Sequence, residues 1–375
     1  MTDRSASICD VLPAAAAVLG VPGAEDRLGV VDQLGPARRV VVVLVDGMGY
    51  HLLAPMAAHA PLLASALAGA TGSLSQLSCT FPSTTPTSLV SLATGVAPGE
   101  HGILGFTVNV PGTDRVLTHI LWRDEPQPAT WQPVPTSYER LAAAGRRSSA
   151  VLPAYFAGSG LTEAAYRGAR FRGVGKGQDY VAELLDEVRS GPGLVYGYTA
   201  ALDTAAHRYG IASPEWAQAA AGVDAVLGRI VAGLPSDTVL LVTADHGGLD
   251  VPQPGRVDLN ADPRLADGIR VVAGEPRVRY LHVADGAVAD VRATWQAVLG
   301  DRADVLLRDE AVAAGMFGPV RPAHLPRIGD VVVICGGDTV VLATGHEPPE
   351  IAALIGFHGS VTPAETAIPL LALRT

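Results

Sequence analysis

With 375 residues, nearly half of them apolar and 17% charged, the chain is long enough for more than one core and too hydrophobic for global disorder. Its formal charge of -10 arises from 37 acidic against 27 basic residues without a basic run, so neither nucleic acid nor an anionic membrane is expected as a partner. Cys9, Cys79 and Cys335 are odd in number and widely spaced, which argues against a disulfide framework and against a thiolate zinc site.

Near the N-terminus, Asp10 and Pro13 interrupt the stretch where a secretory segment would have to be continuously apolar, and no later run is long and apolar enough to span a bilayer. A cytoplasmic protein is expected. The segment "ARRVVVVLVDGMGYHLL" predicts a strand over Val40–Val45 that ends at Asp46 and Gly47; its unbroken β-branched run marks burial on both faces, as in a parallel sheet. Next, "CTFPSTTPTSLVSLATG" crowds five hydroxyl side chains between Phe81 and Val90. Its second half reads as a helix with Thr85 as N-cap and Pro86 in the first helical position, stopped by Gly95. Thr85 either caps the helix or presents a nucleophile there.

Further along, "TSYERLAAAG" carries a capping box, Thr136 with Glu139, and "SSAVLPA", "LVYGYT" and "TVLLVTADHGG" supply three more strands. Between the last two lies a helix opened by Ser213 and Pro214, with Trp216, Ala219, Val223, Val226 and Ile230 at helical spacing. Strands alternating with helices predict a layered α/β core. After Val251 the texture changes to scattered prolines, a helix near Ala289 to Leu299, and "GDVVVICGGDTVVLAT", which reads as a hairpin turned at Gly336-Gly337. The expected organisation is a catalytic core over 1–250 and 348–375, with 251–347 as a smaller inserted α+β subdomain.

In open α/β sheets ligands gather at the carboxyl ends of the strands. This chain places Asp46 after one predicted strand, Asp203 and His207 after a second, and Asp245-His246 after a third. Singly, each is the kind of residue that caps a turn. Together, carboxylates and imidazoles without thiolate are the ligands of a catalytic zinc site. Asp203 and His207 project from one side of a helical turn, while the side chains of Asp245 and His246 are expected to diverge. A hydroxyl at a helix N-terminus faces unsatisfied N–H groups and the positive end of the dipole, and Thr85 is the preferred nucleophile.

The ordered set "VDGMG", "FPSTTPTSLVSLATGVAPGEHGILG", "LDTAAHRYG", "TADHGG" and "GFHGS" resembles the alkaline phosphatase superfamily, most closely its nucleotide pyrophosphatase/phosphodiesterase branch. The resemblance implies an α/β/α core with a largely parallel sheet and two zinc ions, with manganese as the alternative metal. Asp46, Asp245 and His246 would hold the metal that also meets the Thr85 oxygen; Asp203, His207 and His358 would hold the other. His358 enters only through the resemblance. The implied reaction is hydrolysis of a small-molecule phosphoester through a phosphothreonine intermediate.

Two departures bear on substrate. Pro86 stands where the branch has a base-stacking aromatic residue, and Phe106 stands where it has an asparagine for a phosphoryl oxygen. Phe106, Tyr155 and Phe156 are therefore the candidate substrate-contacting residues. The same ligand set would also serve a phosphonoacetate hydrolase-like or phosphomonoesterase activity, and a non-catalytic metal- or phosphate-binding protein is the reading outside catalysis. His101 is expected to be structural, and Arg170 and Arg172 to share a solvated strand face.

Overall fold

A computed structural model describes residues 5–211 and 213–375. Its centre is a seven-stranded sheet in the order Ser73–Ser78, Ala367–Arg374, Thr238–Thr243, Arg39–Val45, Gly193–Thr199, Ser148–Pro153 and Arg170–Val174. Only Ala367–Arg374 runs against its neighbours; the other pairings are parallel. Val40 to Val45 are completely buried. Successive strand side chains point to opposite faces, so both faces of the sheet are covered, and the β-branched run is the sequence record of that position. Helices such as Val11–Val18 and Tyr180–Arg189 supply the cover. No helix among the described residues is long and apolar enough to cross a membrane.

Two of the predicted helix starts hold. Thr136 Oγ1 accepts the Glu139 N–H at 3.1 Å, and a Glu139 carboxylate oxygen accepts the Thr136 N–H at 2.8 Å. Ser213 Oγ accepts the Trp216 N–H at the head of Pro214–Gly233.

Within 251–347 lies a second, antiparallel sheet in the order Ile269–Glu275, Val278–Val283, Val331–Cys335, Ala303–Leu307. Its two faces have different neighbours. Val332 and Ile334 enter the main core, whereas Val331, Val333 and Cys335 pack with Trp295 and Leu299 in a separate cluster. The inserted sheet is thus fastened to the core across one face. A short ribbon pairing Leu249–Asp250 with Gly356–Phe357 closes the base of the insertion.

One expectation fails here. Val331–Cys335 and Val340–Leu342 do not form a hairpin; Val340–Leu342 pairs in parallel with Arg256–Asp258. The buried Arg277 guanidinium donates to the carbonyl oxygens of Gly336, Gly337 and Thr339, which holds the connection open and directs the chain away from its predecessor.

Candidate active site

The sheet delivers its acidic residues to one end. Asp46 follows Arg39–Val45, the helix Ala201–Tyr209 follows Gly193–Thr199 and carries Asp203 and His207, and Asp245-His246 follows Thr238–Thr243. His358 comes just beyond Gly356–Phe357. Glycine permits the convergence. Gly47 has φ 72°, and a Cβ there would stand 2.9 Å from Cβ of Asp203; one at Gly247 would stand 2.1 Å from the Ala364 carbonyl oxygen.

The helix Thr85–Thr94 begins one residue earlier than its sequence suggests: Thr84 is the N-cap, Thr85 the first helical residue and Pro86 the second. The first turn of a helix leaves its N–H groups without intrahelical partners, so proline fits the second position as well as the first. Thr85 is consequently not the cap. Its hydroxyl lies 3.1 Å from His246 Nε2.

The three imidazoles share one arrangement. Nδ1 of His207, His246 and His358 faces a backbone carbonyl oxygen, of Gly356, Gly247 and Ser83, at 2.8, 2.8 and 2.9 Å. These contacts assign the proton to Nδ1 and leave the Nε2 lone pair for the site. His246 and His358 stack with centroids 3.6 Å apart, and His207 lies 5.1 Å from His358. His207 Nε2 approaches Asp203 at 3.2 Å; His246 Nε2 approaches Asp46 at 3.4 Å and Asp245 at 3.5 Å. Asp245 and His246 therefore converge, contrary to the divergence expected of neighbours in an extended strand. Both lie past the strand end, where Asp245 Oδ1 accepts the N–H groups of Gly47 and His246, turning its other oxygen inward.

Two ligand triads result: Asp203, His207 and His358, and Asp46, Asp203 and His246, with a donor atom of every member within 4.8 Å of the others. Asp203 belongs to both, and Asp245 borders the second. The electrostatics call for cations. Asp46 Oδ1 and Asp245 Oδ2 are buried without a hydrogen-bond partner. Burial, reinforced by the Asp245 and Asp203 carboxylates, pushes the Asp46 carboxyl well above its ordinary range. Burial alone would lower the His207 imidazole, but the Asp203 carboxylate outweighs it and holds His207 up at about 9. Burial and the neighbouring His246 depress His358. A divalent cation would engage the orphan oxygens and the lone pairs together, so the donor set fits a metal centre.

Sequence reasoning missed Tyr198, whose hydroxyl donates to Asp46 Oδ2. Its signal was strand phase: Tyr198 is in register with Leu44, two residues before Asp46. It also missed Glu275, a buried carboxyl from the insertion that faces the Thr84 hydroxyl and the Phe106 N–H, and that burial raises to about 8.

The remaining candidates are scattered. Phe156 packs 5.9 Å from Tyr198, and the Tyr155 ring beside it is 75% exposed, forming an aromatic rim near the cluster. Phe106 lines a neighbouring cavity. His101 is buried against Ser91 at 2.8 Å, and Arg170 and Arg172 pair with Glu187 and Glu183. None of these three enters the ligand cluster.

A family model described as type I phosphodiesterase / nucleotide pyrophosphatase matches residues 40–361. Among solved structures, murine ectonucleotide pyrophosphatase / phosphodiesterase 5, in an inactive Thr-to-Ala form with AMP, superposes with a TM-score of 0.71 at 17% identity, over 89% of this chain and 87% of that one. Phosphonoacetate hydrolase from Sinorhizobium meliloti 1021 with phosphonoacetate gives 0.68 at 20% identity, over 90% of each chain. A stretch of 86 residues is 37% identical to alkaline phosphatase PhoD of Zymomonas mobilis, covering 21% of this chain and 15% of that relative's length.

Proposed function

This chain belongs to the type I phosphodiesterase / nucleotide pyrophosphatase family and is a metal-dependent phosphoester hydrolase; on that premise we propose that it cleaves phosphodiesters or pyrophosphates through a phosphothreonine on Thr85, at a site for two zinc ions. The observation that carries the reading is the convergence of three imidazole Nε2 atoms and the orphaned oxygens of Asp46 and Asp245 beside the Thr85 hydroxyl. Asp46, Asp245 and His246 would hold one ion with the Thr85 oxygen, and Asp203, His207 and His358 the other. When bound, the pair supplies positive charge that favours the ionised hydroxyl and neutralises the phosphoryl oxygens.

The protein's own groups do the rest. Thr85 loses its proton to solvent, and its Oγ1 forms a bond to phosphorus in line with the ester oxygen that leaves and is protonated by solvent. Water then attacks phosphorus, the P–Oγ1 bond breaks, and Thr85 recovers its proton as the phosphate product departs. Gly356, Gly247 and Ser83 hold the three imidazoles in the tautomer that points Nε2 at the site. Pro86 and Phe106 occupy the two positions where the resemblance expects nucleotide-reading groups, which favours a second reading on the same ligands: phosphonoacetate hydrolase-like or phosphomonoesterase activity. Cys9, Cys79 and Cys335 form no disulfide, which suits the cytoplasm as the compartment.

A paired assay on zinc-loaded protein tests the proposal, comparing bis(p-nitrophenyl) phosphate with p-nitrophenyl phosphate and using Thr85→Ala as the blank. Diester preference that disappears in the blank is the expected result. Monoester preference would move the assignment to the second reading. Undiminished turnover by Thr85→Ala would remove the phosphothreonine.

A further inference from the structure

Between the core and the insertion lies a cavity of about 740 Å³ that the chemistry above does not use. One wall is the hairpin Thr107–Asn109 / Val116–Thr118 with the turn after it; the other is the strand Ile269–Glu275 and the helix Pro349–Ala352. Thr107 Oγ1 donates to the Gly274 carbonyl oxygen at 2.8 Å and joins the two walls. The lining is branched aliphatic, including Val116, Ile120, Leu121, Ile269, Val271 and Ile351. Charge is confined to paired groups: Arg270 with Asp114, and Arg279 with Glu347.

Glu275 links the cavity to the metal cluster. Phe106 and Pro276 line the cavity, and Glu275, next to Pro276, ends its strand against the active site. The Glu275 carboxyl faces the Thr84 hydroxyl, the neighbour of Thr85, and a Cβ placed on Gly359, the neighbour of His358, would stand 2.9 Å from its carboxyl carbon. Phe106 therefore lines the apolar space while its backbone N–H meets Glu275, which links that space to Thr84. At the mouth, Val116, Ile120 and Leu121 remain 39%, 48% and 72% exposed. A folded chain gains nothing from leaving three neighbouring aliphatic side chains in water, and such a patch beside a pocket marks a binding surface.

We propose that this cavity receives a long aliphatic group of the substrate, so that the phosphoester cleaved at Thr85 is one esterified to an alkyl, acylglycerol or isoprenoid alcohol. The assignment rests on the hydrolase reading above. Its volume is that of a small-molecule site, and the lining decides the class. A nucleobase is held by flat aromatic faces and polar edge contacts, whereas here two rings, those of Phe106 and His346, meet a larger number of branched aliphatic side chains. The charged side chains of the lining are paired with one another, Arg270 with Asp114 at the exposed side and the buried Arg279 with Glu347, so neither pair needs a charge from the ligand.

The test uses p-nitrophenyl methyl phosphate and p-nitrophenyl decyl phosphate below the concentration at which the latter aggregates, so that the leaving group is constant. Each fully buried methylene is worth roughly fourfold. With partial burial, kcat/KM for the decyl ester is expected to exceed that of the methyl ester by about 100-fold or more. Ile120→Glu and Ile351→Glu, made separately at positions that are not fully buried, should each collapse that ratio toward one. Calorimetric titration with methylphosphonate and decylphosphonate reads the same preference without turnover. Equal rates on the two esters with equal affinity for the two phosphonates would overturn the cavity assignment and leave the hydrolase reading standing. Tight decylphosphonate binding, lost in both variants, by a protein that cleaves neither ester would uphold the cavity and sink the hydrolase reading.

Discussion

Two buried polar clusters in this molecule are built in opposite ways. Where the insertion meets the core, Arg277 and Glu365 are both fully buried and joined by two hydrogen bonds, at 2.9 and 2.6 Å. Arg277 spends its remaining donors on backbone carbonyls, and Glu365 also accepts from the Ser360 N–H and the Thr362 hydroxyl. At the ends of the parallel strands, by contrast, Asp46, Asp203 and Asp245 converge with no arginine or lysine of the described residues among their hydrogen-bond or ion-pair partners, and oxygens of Asp46 and Asp245 are left without a partner. Desolvation makes an unpaired buried charge expensive, so a cluster closed on itself is a fastener, and an open one is a receptacle for cations. The difference separates structure from function without reference to any relative.

The sharpest way to break the comparison is at the nucleophile. Thr85→Ala removes the hydroxyl beside His246 and should lower kcat on bis(p-nitrophenyl) phosphate by about 10³-fold or more, with zinc content and Tm unchanged. The same kind of truncation in the closed cluster should do the reverse. Arg277→Ala leaves Glu365 buried and unpaired, and denaturant unfolding should show a loss of about 3–5 kcal/mol. If Arg277→Ala were stable, the closed cluster would not be the fastener described here.

How far the sequence alone reached follows the same division. Asp46, Asp203 and His207, and Asp245-His246 were legible because each follows a strand that its own hydrophobic run announces. His358 was not: its place depends on the ribbon joining Leu249–Asp250 to Gly356–Phe357, a contact across the whole insertion. The false hairpin at Gly336-Gly337 had correct turn residues, but the deciding group, Arg277, is distant in sequence and acts through backbone carbonyls that no pattern displays. The Thr84/Thr85 shift at the helix start reflects a true ambiguity, since proline is tolerated at either of the first two positions. The closed cluster escaped notice altogether, since its two residues look like any exposed arginine and glutamate until the fold buries them.

Metal removal sharpens the contrast further. Chelation should lower the Tm of the protein, and restoring zinc at about 100 times its Kd should recover roughly 2.7 kcal/mol. The metal-free protein should also acquire a pH dependence. His207 is held up at about 9 against an ordinary 6.5, so its contribution is fully present below about pH 6.5 and is lost as the pH rises through 9. Glu275, raised to about 8 from 4.5, adds to the loss up to that pH with the same sign. Unfolding free energy of the metal-free protein should therefore fall between pH 6.5 and 9. In the zinc-loaded protein His207 has no proton to lose, and the slope should be shallower. Identical slopes in the two forms would remove His207 from the metal site.

The smallest expected effect concerns a residue standing between the two designs. Tyr198 is not a ligand, yet its hydroxyl donates to Asp46, the acid of the open cluster whose carboxyl burial pushes well above its ordinary range. It fixes the carboxylate so that Oδ2 is occupied and Oδ1 points at the site. Tyr198→Phe keeps the ring against Phe156 and removes only that donor, so the fold should be unaffected. Groups that orient a metal ligand typically account for about 10- to 100-fold in affinity or activity, and zinc titration followed by the diester assay should place Tyr198→Phe in that range. A loss seen in kcat at saturating zinc would mean that the hydroxyl tunes the charge Asp46 presents. A loss seen only in zinc affinity would mean that it positions the carboxylate and does no more.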